Sequence, residues 1–577
     1  MSNTPCFDRE IDKYFETHLP GQYTSSESGD TFEISEAEYH LHKMLKVPLP
    51  EVAPHERIMG LRAYMGGIEL FSRILVGNQS VVTMYDPESE ISLISEEDWF
   101  GDNFDAQKYA AEYSTRRSII SQIRDLMYRV PHVPLLQDPS SEKSQWSIYE
   151  LAFKNSYATY GGLECEEVMY ADLCIQSEHC VDVMSVVQTQ WSYEGVQLFQ
   201  CSNTFFSQFS SGLFDAYFTF GSINCSHVFG CVNIQNKEYC FFNQQLTKDE
   251  YESIVSKIDL SDRSVVEYWD RKAKEFWKQG YHLGDTNFQS ENVIGQHLIS
   301  SKDASGFEAT DLERVYNVFD VGFAKDCFDV TTSSNVEKSC LTACVTEGFE
   351  NKMSLSCDNC INVEYCELCS NCENCFGCVG LRRKKFCIFN KQYTEEEYWK
   401  TLDAIKTQML AEGTYGKFFR LQDSPIAYNI SHAGIFFPKT KSQMESAGLR
   451  YYQGKPPASS NQTLEKVPER LSDFREEMLD KKFIDAGSGR VFQIVKPEFE
   501  FHKKFGIALP SDHSIERRLR RYKDVMEIRT SRGACEKCSA VLYTRTPHEQ
   551  VRFLCGECYH GFLMSDKAME FQVINQE

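Results

Sequence analysis

Residues 372–399 read CENCFGCVGLRRKKFCIFNKQYTEEEYW, and residues 225–252 read CSHVFGCVNIQNKEYCFFNQQLTKDEYE. At an offset of 147 the two agree at 13 of 28 positions, where average composition gives about two. The chain therefore carries an internal duplication, and that repeat governs how the rest is read. Both copies close in the same way. Cys240 and Cys387 lead to Asn243 and Asn390, then to Thr247 and Thr394. Thr247 with Glu250, and Thr394 with Glu397, have the T-x-x-E spacing of a capping box. A helix is expected after each cassette, over about 247–280 and 394–413.

Upstream of each copy no 3.6-residue period survives. Short apolar pairs alternate there with Ser, Asn, Gly and Cys. Short strands punctuated by tight turns point to a parallel β-solenoid, whose coils bury small residues in stacked rows. Cysteine suits such rows as a small buried hydrophobe. A second duplication joins the ends of the chain. FEISEAEYHLHKMLKVPLPEVAPHER at 32–57 matches FQIVKPEFEFHKKFGIALPSDHSIER at 492–517, sharing among others Phe32/Phe492, Glu38/Glu498, His42/His502 and Arg57/Arg517. Its pattern predicts a short strand, an amphipathic helix and a Pro-ended turn. His42 and His502 occupy matching scaffold positions, which favours packing or surface roles.

The expected fold is multi-domain, mainly β with helices. Two parallel β-solenoid-like Cys-rich cassettes, each followed by a capped helix, are flanked by zinc-ribbon-like modules. The expected layout is a tail at 1–30, a Cys-less degenerate ribbon module at 31–136 and a first cassette at 145–246. A helical connector at 247–295 and a second cassette at 296–393 come next. A helical and loop region at 394–480 and a C-terminal ribbon module at 490–566 complete it.

The chain has 577 residues, 23 cysteines and a net charge of -24. That charge argues against a general nucleic-acid coat. No basic, apolar leader and no 18-residue apolar run are visible, so no membrane association and a cytoplasmic, reducing setting are expected. Cys535, Cys538, Cys555 and Cys558 form C-x2-C-x16-C-x2-C. Two knuckles separated by a hairpin-length span place four thiolates around one structural Zn2+. All four positions are protein, so the site serves folding and leaves no place for substrate. In the N-terminal copy, Val76 and Gln79 fall near where the first knuckle would sit.

Cys357, Cys360, Cys366, Cys369, Cys372, Cys375 and Cys378 are separated by multiples of three. Cys366, Cys369, Cys372, Cys375 and Cys378 are the candidates for a second metal. The run approaches a ferredoxin spacing, but the last gap is short and Val379 stands where proline is required. Stacked structural cysteines are favoured, zinc comes next, and an iron–sulfur cluster last. Arg517, Arg518, Arg520, Arg521 and Lys523 are candidates for a phosphate-facing stripe. A solvated helix face, with Glu516, Asp524 and Glu527 offsetting charge, is the favoured reading. Arg382, Arg383, Lys384 and Lys385 form a smaller basic cluster that leaves room for a partner contact. No catalytic motif is present.

These segments, with DSPIAYNISHAGIFFPKTK at 423–441, resemble a family of large Cys-rich zinc-ribbon proteins predicted in candidate-phyla bacteria with reduced genomes. The resemblance spans nearly the whole chain. It implies zinc-ribbon modules at both ends and Cys-rich cassettes between them. Members tend to have C-x2-C before the phenylalanine where this chain reads SSESGDTFEI and DAGSGRVFQI. Some relatives carry a CoA-transferase label, which no α/β domain or nucleophilic carboxylate in this sequence supports. The leading expectation is a zinc-binding multi-domain scaffold or binding protein, acting on a protein partner, and not an enzyme. One alternative is an RNA- or ribosome-associated protein using the basic C-terminal module. The other is a metal- or cluster-dependent enzyme using the second cassette.

Overall fold

The computed structural model describes residues 2–67, 69–75, 79–136, 141–142, 144, 146–151, 153–163, 168–170, 172–174, 184–186, 204–284, 294–299, 305–313, 316–325, 331–337, 343–454, 464–525, 531–544 and 551–572. It contains helices and several separate sheets. The chain divides into two compact units, each assembled from two distant segments. Residues 1–135 and 286–452 form the first unit; residues 136–285 and 453–577 form the second. Each unit therefore holds one copy of each duplicated segment.

Within each unit the cassette is a parallel ladder. In the first unit its step is 11 residues from Ile294 to Ser305 and from Ser305 to Tyr316, and after a register shift at Gly306 it settles to a longer, regular value. In the first unit Ile361 pairs with Glu373 and Glu373 with Lys385, while Val363 pairs with Cys375 and Cys375 with Cys387. In the second unit Phe214, Ser226 and Glu238 pair in the same way. This regular step is 12 residues, so the chain returns to the same edge after every 12. Isolated bridges Leu355 to Glu367 to Val379, and Asp358 to Ser370 to Arg382, repeat that step elsewhere in the turn.

The backbone reason is a three-residue period. Asn359, Asn362, Tyr365, Leu368, Asn371, Asn374, Gly377 and Gly380 all have φ between 48° and 69°. A left-handed residue at every third position bends the chain repeatedly in one sense. Asn and Gly bear that conformation at the lowest steric cost. The residue after each bend is buried: Cys360, Val363, Cys366, Cys369, Cys372, Cys375, Cys378 and Leu381. The multiples of three in the cysteine spacing are thus the inward positions of the ladder.

The last strand of each ladder is covered by an antiparallel pair, Cys240 with Gln245 and Cys387 with Gln392, and the bridge rows of Val232 and Val379 end on the shared asparagine. Asn390 accepts from the Val379 N–H at 2.9 Å and donates to the Val379 carbonyl at 2.8 Å. Asn243 does the same for Val232, with both bonds at 2.9 Å. One side-chain amide supplies the donor and the acceptor that a further strand would have supplied. The capping boxes follow at Thr247 and Thr394. The second cassette hands over to the helix Glu395–Ala411. The single helix expected over 247–280 is instead two, Lys248–Val255 and Arg263–Trp277. The cause is local: Asp262 accepts from the Ser264 N–H at 3.0 Å and starts the second helix afresh.

The terminal modules keep the predicted strand, helix and turn. The first has the helix Glu36–Leu45 and the second Lys496–Phe505, each ended by a left-handed residue, Lys46 or Gly506. The shared residues explain themselves in contacts. Arg57 pairs with Glu38 at 3.3 Å, and Arg517 with Glu498 at 2.8 Å, all four buried. His42 Nδ1 lies 3.1 Å from the Val47 carbonyl oxygen, and His502 Nδ1 3.2 Å from that of Ile507. A carbonyl can only accept, so both rings donate from Nδ1 and fasten the turn after the helix. Residues read as a tail begin with the helix Pro5–Thr17, which buries Phe7, Ile11 and Phe15. Asp403 accepts from the Cys6 and Phe7 N–H groups at 3.1 and 2.8 Å and caps that helix from a distance.

Candidate metal centre

Cys535 follows the strand Ser531–Ala534, which pairs antiparallel with Val541–Thr544. The turn between them is narrow. The Cys535 N–H donates to the Ala540 carbonyl at 2.8 Å and the Ser539 N–H to the Cys535 carbonyl at 2.9 Å. Ser539 is left-handed, with φ 62°. This turn swings Cys538 back toward Cys535. Cys555 caps the helix Gly556–Met564, which brings Cys558 round in its first turn. The four Sγ atoms lie within 4.8 Å of one another, and Cys538 Sγ is 3.6 Å from Cys555 Sγ. Among the described residues no other group of three or more Cys, His, Asp or Glu converges in this way.

The electrostatics suit a cation. Burial raises the Cys535 pKa, but the N–H groups of Cys555, Cys538 and Lys537 more than offset it and hold the thiol at about 6. Desolvation and the adjoining thiols of Cys555, Cys538 and Cys535 push Cys558 up to about 12. Four thiols this close resist ionising together until a positive ion lies among them. Four soft sulfur donors with no open position are the donor set of a structural Zn2+. The residues present fit such an ion.

The same knuckle recurs twice without thiols among the described residues. At Ser25 and at Asp485 the turn makes the same two backbone bonds, Ser25 to Asp30 and Gly29 to Ser25, and Asp485 to Arg490 and Gly489 to Asp485. Gly29 and Gly489 take the left-handed position of Ser539. The positions matching Cys535, Cys538, Cys555 and Cys558 are Ser25, Ser28, Ala53 and Glu56 in one module, and Asp485, Ser488, His513 and Glu516 in the other. Hydrogen bonds stand where the ion would. Ser25 Oγ donates to Glu56 Oε2 at 2.5 Å, and that oxygen accepts from the Ala53 N–H at 2.8 Å. Asp485 accepts from the N–H groups of Gly487, Ser488 and His513. In the hairpin Phe71–Ile74 with Ser80–Thr83, the Leu75 N–H donates to the Gln79 carbonyl at 2.8 Å; Val76 lies outside the described residues. Ser95 and Asp98 stand at the helix start, with Ser95 Oγ donating to Asp98 Oδ2 at 2.8 Å.

The stacked cysteines are engaged otherwise. Cys366, Cys369, Cys372 and Cys378 each have two acceptors within reach of their single S–H, the carbonyl two residues back and the one nine residues on, at 3.3–3.6 Å. Cys375 has the same two at 3.6 and 3.9 Å. Burial pushes the thiols of Cys231, Cys357, Cys366 and Cys369 well above their ordinary range, whereas hydrogen bonds from neighbouring thiols lower Cys372, and in Cys378 they outweigh burial and hold it at about 5.

Of the basic stripe expected to be a solvated face, three arginines are buried and Arg520 is exposed. Arg517, Arg518 and Arg521 are 2%, 6% and 5% exposed. Arg517 is held by Glu498, and Tyr170 donates its hydroxyl to the same carboxylate at 3.0 Å. Arg520 pairs with Asp512 at 2.9 Å. Lys523 lies on the helix Ser514–Val525, and its side chain is outside the described residues. The smaller cluster is also used internally: Arg382 donates to the Gly101 carbonyl at 2.7 Å and Lys384 to Gln107 at 2.6 Å. Sequence reasoning missed the roles of Asn243 and Asn390, although their recurrence in both copies was the available signal. Among the described residues no helix is long and apolar enough to cross a membrane. Comparison with protein-family models, curated proteins and solved structures gives no match for this chain.

Proposed function

We propose that this protein is a zinc-stapled scaffold that binds a protein partner along its repeated cassettes, in the cytoplasm. The observation that carries the reading is the convergence of Cys535, Cys538, Cys555 and Cys558. Zn2+ is the metal whose coordination matches a closed four-thiolate set. The 12-residue parallel step and the buried inward rows support a β-solenoid description of the cassettes, and solenoids characteristically offer long binding surfaces. The ribbon description of the terminal modules rests on the recurring knuckle, and it accords with the resemblance to large Cys-rich bacterial proteins. Reduced, hydrogen-bonded thiols in the ladders fit a reducing compartment.

The decisive experiment is metal content per chain, measured with the visible spectrum on protein purified without oxygen. One zinc and no colour is the expected result. Iron with absorption near about 400 nm, where thiolate-bound clusters absorb, would overturn it in favour of a cluster enzyme. Two or more zincs would move the second-metal assignment back to residues 366–378. The RNA reading draws little support from a stripe in which Arg517, Arg518 and Arg521 are buried and the exposed Arg520 is paired with Asp512. Steep salt-dependent RNA binding by the full chain would revive it.

A further inference from the structure

The four-cysteine site is joined to the first cassette by two devices and to the connector that follows the cassette by a third. Tyr559, the residue after Cys558, donates its hydroxyl to the Gly221 carbonyl at 3.1 Å and accepts from Asn233 Nδ2 at 2.9 Å. Gly221 has φ 57°, and a Cβ there would meet that hydroxyl at 2.6 Å, so the ladder bends where the tyrosine enters. The short strand Phe553–Leu554, which delivers Cys555, pairs in parallel with His282–Leu283. Beyond the helix Gly556–Met564, the Ala568 carbonyl accepts from Asn243 Nδ2 at 2.7 Å. Asn243 is the cap that closes the ladder on Val232.

The first unit makes the corresponding closure with no thiol in it. Asn390 donates to the Ala106 carbonyl at 3.0 Å. The segment carrying Ala106 is held by Arg382 and Lys384, and the Ala111 N–H donates to the Phe389 carbonyl at 2.9 Å. Ser95 starts the helix Glu96–Phe100 by accepting from the Asp98 N–H at 3.1 Å, where Cys555 starts its counterpart. Two ladder ends with the same asparagine cap thus differ in what fixes the segment receiving it.

We propose that metal occupancy at Cys535, Cys538, Cys555 and Cys558 latches the end of the first cassette, and leaves the end of the second cassette untouched. The proposal rests on the zinc reading above. The ion would fix Cys555 and Cys558 at the start of the helix. That start sets where Tyr559 enters and where the Ala568 carbonyl is offered. Without the ion, Asn243 loses its outer partner and the Val232 N–H and C=O lose their cover. A chelator therefore acts as a selective opener of the Val232 row, while the neighbouring strand Glu238–Phe241 stays covered by Gln244–Gln245; uncovered backbone groups of that kind are what another chain can pair with.

Hydrogen–deuterium exchange on the full chain tests this, with zinc stoichiometry measured on the same sample before and after chelation. The expected result is a loss of protection of tenfold or more (about 1.4 kcal/mol of local opening) at Val232 and its neighbours, with Val379 unchanged. Zinc returned to the sample restores Val232. Protection at Val232 that survives complete zinc removal would overturn the latch while the zinc site itself stood. Equal loss at Val232 and Val379 would also overturn it, since the effect would then be general unfolding. A chain that takes up no zinc overturns the metal reading, a failure read from the stoichiometry alone. The Tyr559→Phe variant is the second probe. It should keep its zinc and yet lose protection at Val232; retained protection there would break the proposed route.

Discussion

Glu498 and Arg517 face each other at 2.8 Å with almost no solvent around them. Removing one member leaves the other charge buried alone, so Arg517→Leu should destabilise the second unit by about 3–5 kcal/mol. The double variant Glu498→Leu with Arg517→Leu should recover most of that loss, as urea unfolding of the three proteins would reveal. Histidine 42 gives a pH test. Burial holds its pKa at about 3, far below the roughly 6.5 of an exposed imidazole. The folded chain keeps His42 neutral, while the unfolded chain takes up a proton below about pH 6.5. Its contribution to stability is therefore full above that value and is lost as pH falls toward 3, by at most about 1.4 kcal/mol per pH unit. Denaturation curves between about pH 7 and pH 5 should show a smaller pH slope for His42→Gln than for the natural chain. Equal slopes would mean that His42 is not what titrates. Both residues were visible in the sequence as shared positions of a repeat. Their environment was not, because an arginine in a basic run looks the same whether a carboxylate or water will face it.

The knuckle is the element that the chain reuses most. Three hairpins share its backbone bonds, but only one carries thiols. The turn thus folds without an ion when a carboxylate supplies the cross-links, as Glu56 and Asp485 do. Restoring the donors should restore the site. The variant Ser25→Cys, Ser28→Cys, Ala53→Cys, Glu56→Cys should bind one zinc beyond that of the natural chain, checked by metal analysis per chain. An unchanged count would mean that the matching backbone does not bring these four side chains together. At this scale the sequence was informative wherever the signal was local. The capping boxes at Thr247 and Thr394 and the four-cysteine spacing needed only a few residues each. The ladder was legible through the three-residue spacing of its cysteines, although the 12-residue step required the pairing of strands. The break at Asp262 was overlooked because the apolar pattern continues on both sides of it.

For the whole molecule, the informative fact is that neither unit is continuous in sequence. No period or motif announces that 1–135 will join 286–452, because such contacts are specified by complementary surfaces rather than by spacing. The four-cysteine group lies within the second unit. Calorimetry of the full chain should therefore separate two transitions, and chelation should lower one by several degrees while leaving the other in place. A common downward shift of both would contradict that assignment. The interleaving also imposes a timetable on synthesis. Residues 1–135 leave the ribosome and then wait while the next 150 residues, which belong to the other unit, are made, about 8–30 s at typical elongation rates. The first unit can close once residue 452 has emerged. The second has every strand of its ladder, all within 148–245, long before residues 453–577 arrive with the Ala568 carbonyl that Asn243 meets, so the asparagine-capped end is the part exposed longest to neighbouring nascent chains.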